Sequence, residues 1–285
     1  MVTRLMYQIL FKEDLAPKVH LYKISAPSVA RKAAAGQFII IRIDEKGERI
    51  PLTIVDWDDK EGSVTVVVME VGATTSRLAG LGTGDFIADF VGPLGLRTHV
   101  EDFGHVVCVA GGFAVATIYP IARAMRAQGN RVTAIMGARN KELLFWEDRL
   151  KSVSDNVIVT TDDGTYGRKA LVTELLKELC QTDKSIKRVI AIGPSNMMKF
   201  CSLTTQSFGI KTIVSLNPIM VDGTGMCGCC RVLVGGATRF VCVDGPDFDG
   251  HQVDWELLLA RQRSYLDEEK RALEECNCAR KGGIV

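Results

Sequence analysis

An aspartate and three cysteines crowd one short stretch, Asp222-Gly223-Thr224-Gly225-Met226-Cys227-Gly228-Cys229-Cys230, and Cys242 follows twelve positions later. Taken as ligands, Asp222, Cys227, Cys230 and Cys242 give ligand-x4-ligand-x2-ligand-x11-ligand, the plant-type [2Fe–2S] spacing with a carboxylate in first place. Gly223, Gly225 and Gly228 let the backbone wrap closely and turn its N–H groups toward anionic sulfides, where a Cβ would obstruct. Cys229 is read as a non-ligand, because using it in place of Cys230 breaks the spacing. Two alternatives stay open. A structural zinc centre accepts a carboxylate but favours shorter paired cysteine spacings. Inert packing is a poor use of thiols beside glycine-rich loops. Cys108, Cys180 and Cys201 lie in apolar patterns and read as core, while Cys276 and Cys278 are either a contact with a partner's cofactor or without a role.

Other segments suggest nucleotide chemistry. Arg49-Ile50-Pro51-Leu52-Thr53 leaves a turn and enters a strand, so a guanidinium could hold a pyrophosphate and a hydroxyl could meet a flavin edge. Gly72-Ala73-Thr74-Thr75-Ser76 precedes a helix-like stretch and offers phosphate donors, although an ordinary N-cap reads the same way. Gly111-Gly112 ends an apolar strand and opens a helix without forming a GxGxxG. Gly137-Ala138-Arg139, Asp162-Asp163-Gly164 and Gly193-Pro194-Ser195-Asn196-Met197 end later strands. Four such loops on one sheet edge read as a ligand crevice in which Arg139 could meet a 2′-phosphate. His20, His99, His105 and His251 are scattered and structural, and no nucleophile–base pair stands out.

These loops need two different scaffolds. Short β-rich runs separated by turn signals fill the chain to about Phe90, the rhythm of an antiparallel barrel. After Gly92-Pro93-Leu94-Gly95, apolar strands alternate with helical patterns, the mark of a doubly wound parallel sheet. Strand candidates at Arg231–Leu233 and Thr238–Val243 would form a hairpin returning Cys242 to the loop, and a charged helical tail runs from Trp255 to Cys276. The expected organisation is a β-barrel at 1–97 for FAD, an α/β domain at 98–214 for NAD, a [2Fe–2S] module at 215–254 and a helix and tail at 255–285. A length of 285 residues suits two domains plus an appendage. With 35 Lys and Arg against 34 Asp and Glu, the net charge of +1 provides no field for a polyanion, so no nucleic-acid partner is expected. The N-terminal charges and the lack of a long uninterrupted apolar run point to a soluble, cytoplasmic chain with no membrane span and reduced thiols.

In order, the Arg-x-Pro-Leu-Thr strand, Gly-Pro-Leu-Gly linker, Ala-Gly-Gly loop, Gly-Pro-x-x-Met-Met loop and late cysteine cluster resemble the ferredoxin–NADP reductase superfamily over about residues 5–255. More narrowly, the chain is similar to the electron-transfer subunits related to that of dihydroorotate dehydrogenase B, which carry FAD and one [2Fe–2S] cluster. Those normally have four cysteine ligands. The Val221–Arg231 string, with Asp222, is similar instead to the small subunits of the bifurcating NADH-dependent reduced ferredoxin:NADP⁺ oxidoreductases, also called sulfide dehydrogenase β subunits. The resemblance implies that Arg49, Pro51, Leu52 and Thr53 lie along FAD, with Thr53 beside the reactive flavin nitrogen as the catalytic contact. Gly72 and Thr75 would serve the pyrophosphate. Gly111, Gly112, Gly193, Pro194 and Met197 would frame NAD(H), with Arg139 and Asp163 among the cofactor contacts of the crevice. Phe113 and Ala114 depart from the commoner Gly-x-Gly loop. Asp222, Cys227, Cys230 and Cys242 would bind the cluster. The implied activity is that of an NAD(P)H-dependent flavin/iron–sulfur oxidoreductase subunit. It would serve a larger partner carrying flavin and [4Fe–4S] clusters, through which ferredoxin and NADP(H) are reached. The alternatives are the electron-transfer subunit of dihydroorotate dehydrogenase B and a redox-sensing or metal-bound adaptor.

Overall fold

The computed structural model describes residues 6–281, with side chains as far as Asn277. Cys278 lies outside the described side chains. Seven strands build the first domain: β1 (Tyr7–Ala16), β2 (Val19–Ser25), β3 (Phe38–Arg42), β4 (Ile50–Asp58), β5 (Ser63–Met69), β6 (Phe86–Ile87) and β7 (Asp89–Leu94), with short helices α1 (Pro27–Ala30) and α2 (Ala73–Ala79) between them. Their order is β6-β1-β2-β5-β4-β3-β7. The two edge strands are thus neighbours in the chain, separated by Ala88, and the sheet curls into a nearly closed antiparallel barrel. Alternation along β5 explains its strongly apolar sequence. Val64, Val66 and Val68 fill the barrel, whereas Val67 faces the second domain. Residues 86–94 form two strands rather than one, β6 pairing with β1 and β7 with β3. β1 runs past Phe11 to Ala16, where Ala16 pairs with Val19 across a tight turn.

The second sheet contains β8 (His105–Gly111), β9 (Arg131–Ala138), β10 (Asn156–Thr161), β11 (Arg168–Lys169), β12 (Ile186–Ile192) and β13 (Lys211–Ser215) in parallel. Its crossovers use α3 (Val115–Ala127), α4 (Glu147–Ser152), α5 (Val172–Thr182) and α6 (Ser195–Gln206). The order β11-β10-β9-β8-β12-β13 reverses direction between β8 and β12. That switch point opens a crevice beyond the carboxyl ends of the strands, where Gly111 and Gly193 stand.

The last part differs from its expected form in three ways. The hairpin of β14 (Arg231–Val234) and β15 (Ala237–Phe240) turns through Gly235 and Gly236, both at positive φ, as a two-residue turn requires. It ends at Phe240 rather than Val243. Asp244 accepts the Phe240 amide at 2.7 Å, closing the helical turn α7 (Val241–Asp244), which carries Cys242. Next, β16 (Asp247–Asp249) joins β13 antiparallel, so this segment is an extension of the second sheet. Finally, the tail is two helices, α8 (Trp255–Gln262), N-capped by Asp254, and α9 (Leu266–Lys281), which packs on α2 and sets the Cys276 Sγ 3.9 Å from the Ala73 carbonyl.

Asp247 joins these parts. Its Oδ2 accepts the Thr98 hydroxyl at 2.6 Å, and its Oδ1 is buried without a partner. Burial raises its pKa from the ordinary carboxylate value to about 6. A carboxyl raised in the folded chain favours folding while protonated. Its contribution is therefore complete below about pH 4 and is lost as pH rises through about 6. Asp247→Asn keeps the shape and an acceptor for Thr98, and should stabilise the protein at pH 7.5 by at most about 3 kcal/mol. The gain should shrink toward pH 4.5 in thermal unfolding. A loss of stability at pH 7.5, or an equal gain at both pH values, would contradict this assignment.

Candidate functional site

The Asp222–Cys230 loop is shaped by its own backbone. Asp222 Oδ1 accepts the Thr224 amide at 2.7 Å and Oδ2 accepts the Cys227 amide at 3.1 Å. The first of these bonds is the main reason that its carboxyl is held below the usual range, so it is an anion at neutral pH. Gly223, Gly225 and Gly228 all have positive φ. At Gly223 a Cβ would stand 2.7 Å from Ile40 Cγ1 on β3, and at Gly225 one would stand 2.5 Å from Val243 Cγ2. Glycine is thus required here both for the turn and for the close approach.

Cys230 and Cys242 are buried with their Sγ atoms 3.2 Å apart, and Cys230 Sγ accepts the Cys242 amide at 3.5 Å. Burial and the neighbouring thiol push the Cys242 pKa up, so metal binding here must release protons. Cys227 is exposed, and its sulfur accepts the Cys229 amide at 3.5 Å. The structure therefore brings the four expected ligands together as two pairs, Asp222 with Cys227 through a backbone amide and Cys230 with Cys242 directly. Among the described residues no group of three or more His, Cys, Asp or Glu side chains stands ready to hold one metal ion. Pairs of donors on a glycine-rich loop suit a centre of two irons better than the single tetrahedral cage of structural zinc.

Core packing links this loop to the barrel. Phe38 and Ile40 of β3 belong to the same buried cluster as Cys230, Cys242, Val232 and Val241. In register, Phe38 pairs with Thr53 and Ile40 with Pro51, so the strand behind the cysteines is the neighbour of Arg49–Thr53. Pro51, Leu52 and Thr53 are half-buried and Arg49 is exposed. Glu48 accepts the Thr74 hydroxyl at 2.7 Å, tying the turn before Arg49 to α2. Thr75 Oγ1 accepts the Val71 and Gly72 amides at 3.0 Å each, which makes it the cap of its own turn. A Cβ on Gly72 would meet nothing within 4 Å, leaving open space for a ligand to approach the backbone.

At the crevice, Gly111, Gly193, Pro194 and Met197 converge. A Cβ on Gly111 would lie 2.4 Å from Met197 Sδ, and one on Gly193 would lie 3.2 Å from Gly111 Cα. Gly112, at φ +60, faces open space, and Phe113 beside it is partly exposed. Arg139 and Asp163 are both exposed and stand on adjoining loops, where the Asp163 amide donates to the Arg139 carbonyl at 3.2 Å. Asp163 Oδ1 accepts the Thr165 amide at 2.9 Å, which holds its carboxyl below the usual range. Sequence reasoning missed Glu48 and Asn217. Asn217 accepts the Ser195 hydroxyl at 3.1 Å and binds Gln262 on α8, joining the crevice to the tail. Their partners are remote in the chain, and no spacing marks them.

A family model described as the iron–sulfur cluster binding domain of dihydroorotate dehydrogenase B matches residues 217–254. The dihydroorotate dehydrogenase B (NAD(+)) electron transfer subunit homolog of Thermotoga maritima is 47% identical over 267 residues, 94% of each chain. A solved structure of the NADH-dependent reduced ferredoxin-NADP oxidoreductase, described for its flavin-based electron bifurcation, is 46% identical with a TM-score of 0.90 over 96% of this chain and 99% of that one. A ferredoxin NADP+ reductase from Neisseria gonorrhoeae shares the fold at 21% identity, with a TM-score of 0.60 over 72% of this chain and 91% of that one. Among the described residues no helix is long and apolar enough to cross a membrane.

The contact between Gly223 and Ile40 can be separated from the cost of positive φ. Gly236 has the same φ of +76 as Gly223, but a Cβ there would meet nothing within 4 Å. Gly236→Ala should cost about 1–2 kcal/mol of stability, and Gly223→Ala should cost more and lower the iron bound per chain. Ile40→Ala combined with Gly223→Ala should recover part of the iron. Equal effects of the two glycine changes, measured by thermal unfolding and iron content, would remove the close approach as a constraint.

Proposed function

The chain belongs to the family of dihydroorotate dehydrogenase B electron-transfer subunits and their homologues, and on that premise we propose that it moves electrons between NAD(H), FAD and a [2Fe–2S] cluster as the small subunit of a flavin-based bifurcating NADH/NADPH/ferredoxin transhydrogenase. The observation that carries this reading is the shared core. Ile40 touches the cysteine loop on one side and pairs with Pro51 of the flavin strand on the other. Held along Pro51, Leu52 and Thr53, a bound flavin would supply the conversion between two-electron hydride chemistry with NADH and the one-electron exchange of an iron–sulfur centre.

The chain's own residues supply position and environment. Arg49 serves the flavin pyrophosphate, with the Gly72 turn capped by Thr75 beside it. Pro51, Leu52 and Thr53 line the ring, and the Thr53 hydroxyl is the catalytic contact. Gly111 and Gly193 let the nicotinamide nucleotide come close to the backbone, with Pro194, Met197 and open Gly112 around it. Asp222, Cys227, Cys230 and Cys242 hold the cluster, whose charge and hardness the carboxylate alters relative to four thiolates. Asp163 favours NAD(H), because a carboxylate accepts a ribose 2′-hydroxyl and repels a 2′-phosphate that Arg139 alone would attract.

Partner docking fits the cysteine face. Met226 is 88% exposed and Val221 and Val243 are exposed around the loop, an apolar rim beside the outermost thiol, Cys227. The partner is the larger flavin and [4Fe–4S] oxidoreductase subunit, through which ferredoxin and NADP(H) exchange electrons. The match of residues 217–254 to the dihydroorotate dehydrogenase B domain supports a second reading, in which the partner is a dihydroorotate dehydrogenase. Co-purification of the native complex distinguishes the two.

Anaerobically purified protein should carry one FAD and about two irons with matching acid-labile sulfide per chain, and NADH should bleach its flavin absorbance. Zinc in place of iron, or a chain without flavin, would overturn the reading in favour of a structural centre or an adaptor. Asp222→Ala should lower bound iron more than Asp222→Cys. Asp163→Arg should shift the NADPH-to-NADH preference by about tenfold toward NADPH, and an unchanged ratio would remove Asp163 from the ribose site.

A further inference from the structure

β4 does not end at the flavin residues. A register shift after Ile54 leaves Ile54 opposite Val66 and Asp56 opposite Thr65, so Val55 is an extra residue in the ladder. Such a bulge re-aims the residues that follow it. Ile54 stays in the barrel core, whereas Val55 turns into the core shared with the nucleotide domain, against residues that include Val115 and Ile118 of α3. Asp56 then meets Arg123 of α3 at 2.9 Å. The Arg123 guanidinium lies 5.2 Å from the Trp57 ring of β4 and 5.3 Å from the Tyr119 ring of α3. Tyr119 is itself braced edge-on by Trp146 at 5.6 Å.

We propose that Arg123, gripped by Asp56 and Trp57, is a positioning residue that sets the angle between the flavin strand and the nucleotide helix, and thereby the nicotinamide–flavin distance. The inference rests on the function proposed above. α3 follows directly on the Gly111–Ala114 turn, and β4 carries Pro51–Thr53 at its other end, so one contact spans both halves of the reaction site. The ion pair is about a third exposed on both sides, at 37% and 31%, so solvent screens it and it adds little to stability. The apolar contacts around Val55 therefore hold the domains together, while the directional contacts of Arg123 fix their angle. Arg123 lies about 16 Å along the helix from Gly112. A tilt of about 5° over that arm moves the nucleotide loop by more than 1 Å, a displacement that can cost about a hundredfold in rate.

The test compares FAD- and cluster-loaded wild type with Arg123→Met, Asp56→Asn and the double variant in stopped-flow reduction by NADH. The limiting rate should fall about two- to fivefold in each single variant and no further in the double, while FAD content and NADH affinity stay close to wild type. Hydrogen exchange, read independently of turnover, should quicken in residues 54–58 of β4 and along α3, with the barrel interior unchanged. An unchanged limiting rate, additive losses, or a defect confined to NADH affinity would overturn the positioning role. Failure of NADH to reduce the wild-type protein would instead overturn the proposed function itself.

Discussion

A backbone pressed against a strand is the constraint on which the rest depends. Gly223 lies so near Ile40 that no side chain fits between them, and Ile40 is the register partner of Pro51. The approach is possible only because the loop turns through left-handed glycines, leaving Asp222 to close the turn with its carboxylate. The cysteine loop is consequently packed directly on the side chains of β3, the strand next to β4. Such packing is rigid and has little room to relax. The proposed electron transfer would gain from this because it depends on distance, and a loop held by packing keeps its distance better than one held by surface contacts.

The same economy appears where the domains meet. Val55, Val67 and Leu21 of the barrel share a core with Val115 and Ile118 of the first crossover helix, and Phe38 and Ile40 share another with Cys230 and Cys242. The barrel thus meets the second sheet through two cores, one of which also includes the cysteine hairpin. The grafting of β16 onto β13, together with the Thr98–Asp247 bond, prevents the hairpin from swinging free. The three residue groups proposed for flavin, nicotinamide and cluster are fixed relative to each other without any of them lying within a single element.

Much of this was legible in the sequence because the relevant signals are local. The alternation of strand and helix patterns marked the parallel sheet, and the glycines at Gly111 and Gly193 announced the edge that the topology later makes a switch point. The spacing of Asp222, Cys227, Cys230 and Cys242 singled out residues that the fold gathers on one loop, one hairpin and one helical turn. Local signals fail where a segment depends on remote partners. Val241–Val243 has strand composition, yet it curls because Asp244 reaches back to the Phe240 amide. Lys12–Ala16 looks too polar for a strand and is recruited by the register of β2. Glu48, Asn217 and the bulge at Val55 act only through contacts across the fold, and nothing in their neighbours' identities marks them.

The most direct test of the central claim is an anomalous-scattering map at the iron edge from crystals of the anaerobically isolated holoprotein. Two iron peaks are expected, one held by Asp222 and Cys227 and the other by Cys230 and Cys242, with an isoalloxazine ring against Pro51–Thr53. A lone metal peak on these side chains, or iron bound without Asp222 while the ring lies elsewhere, would contradict the claim.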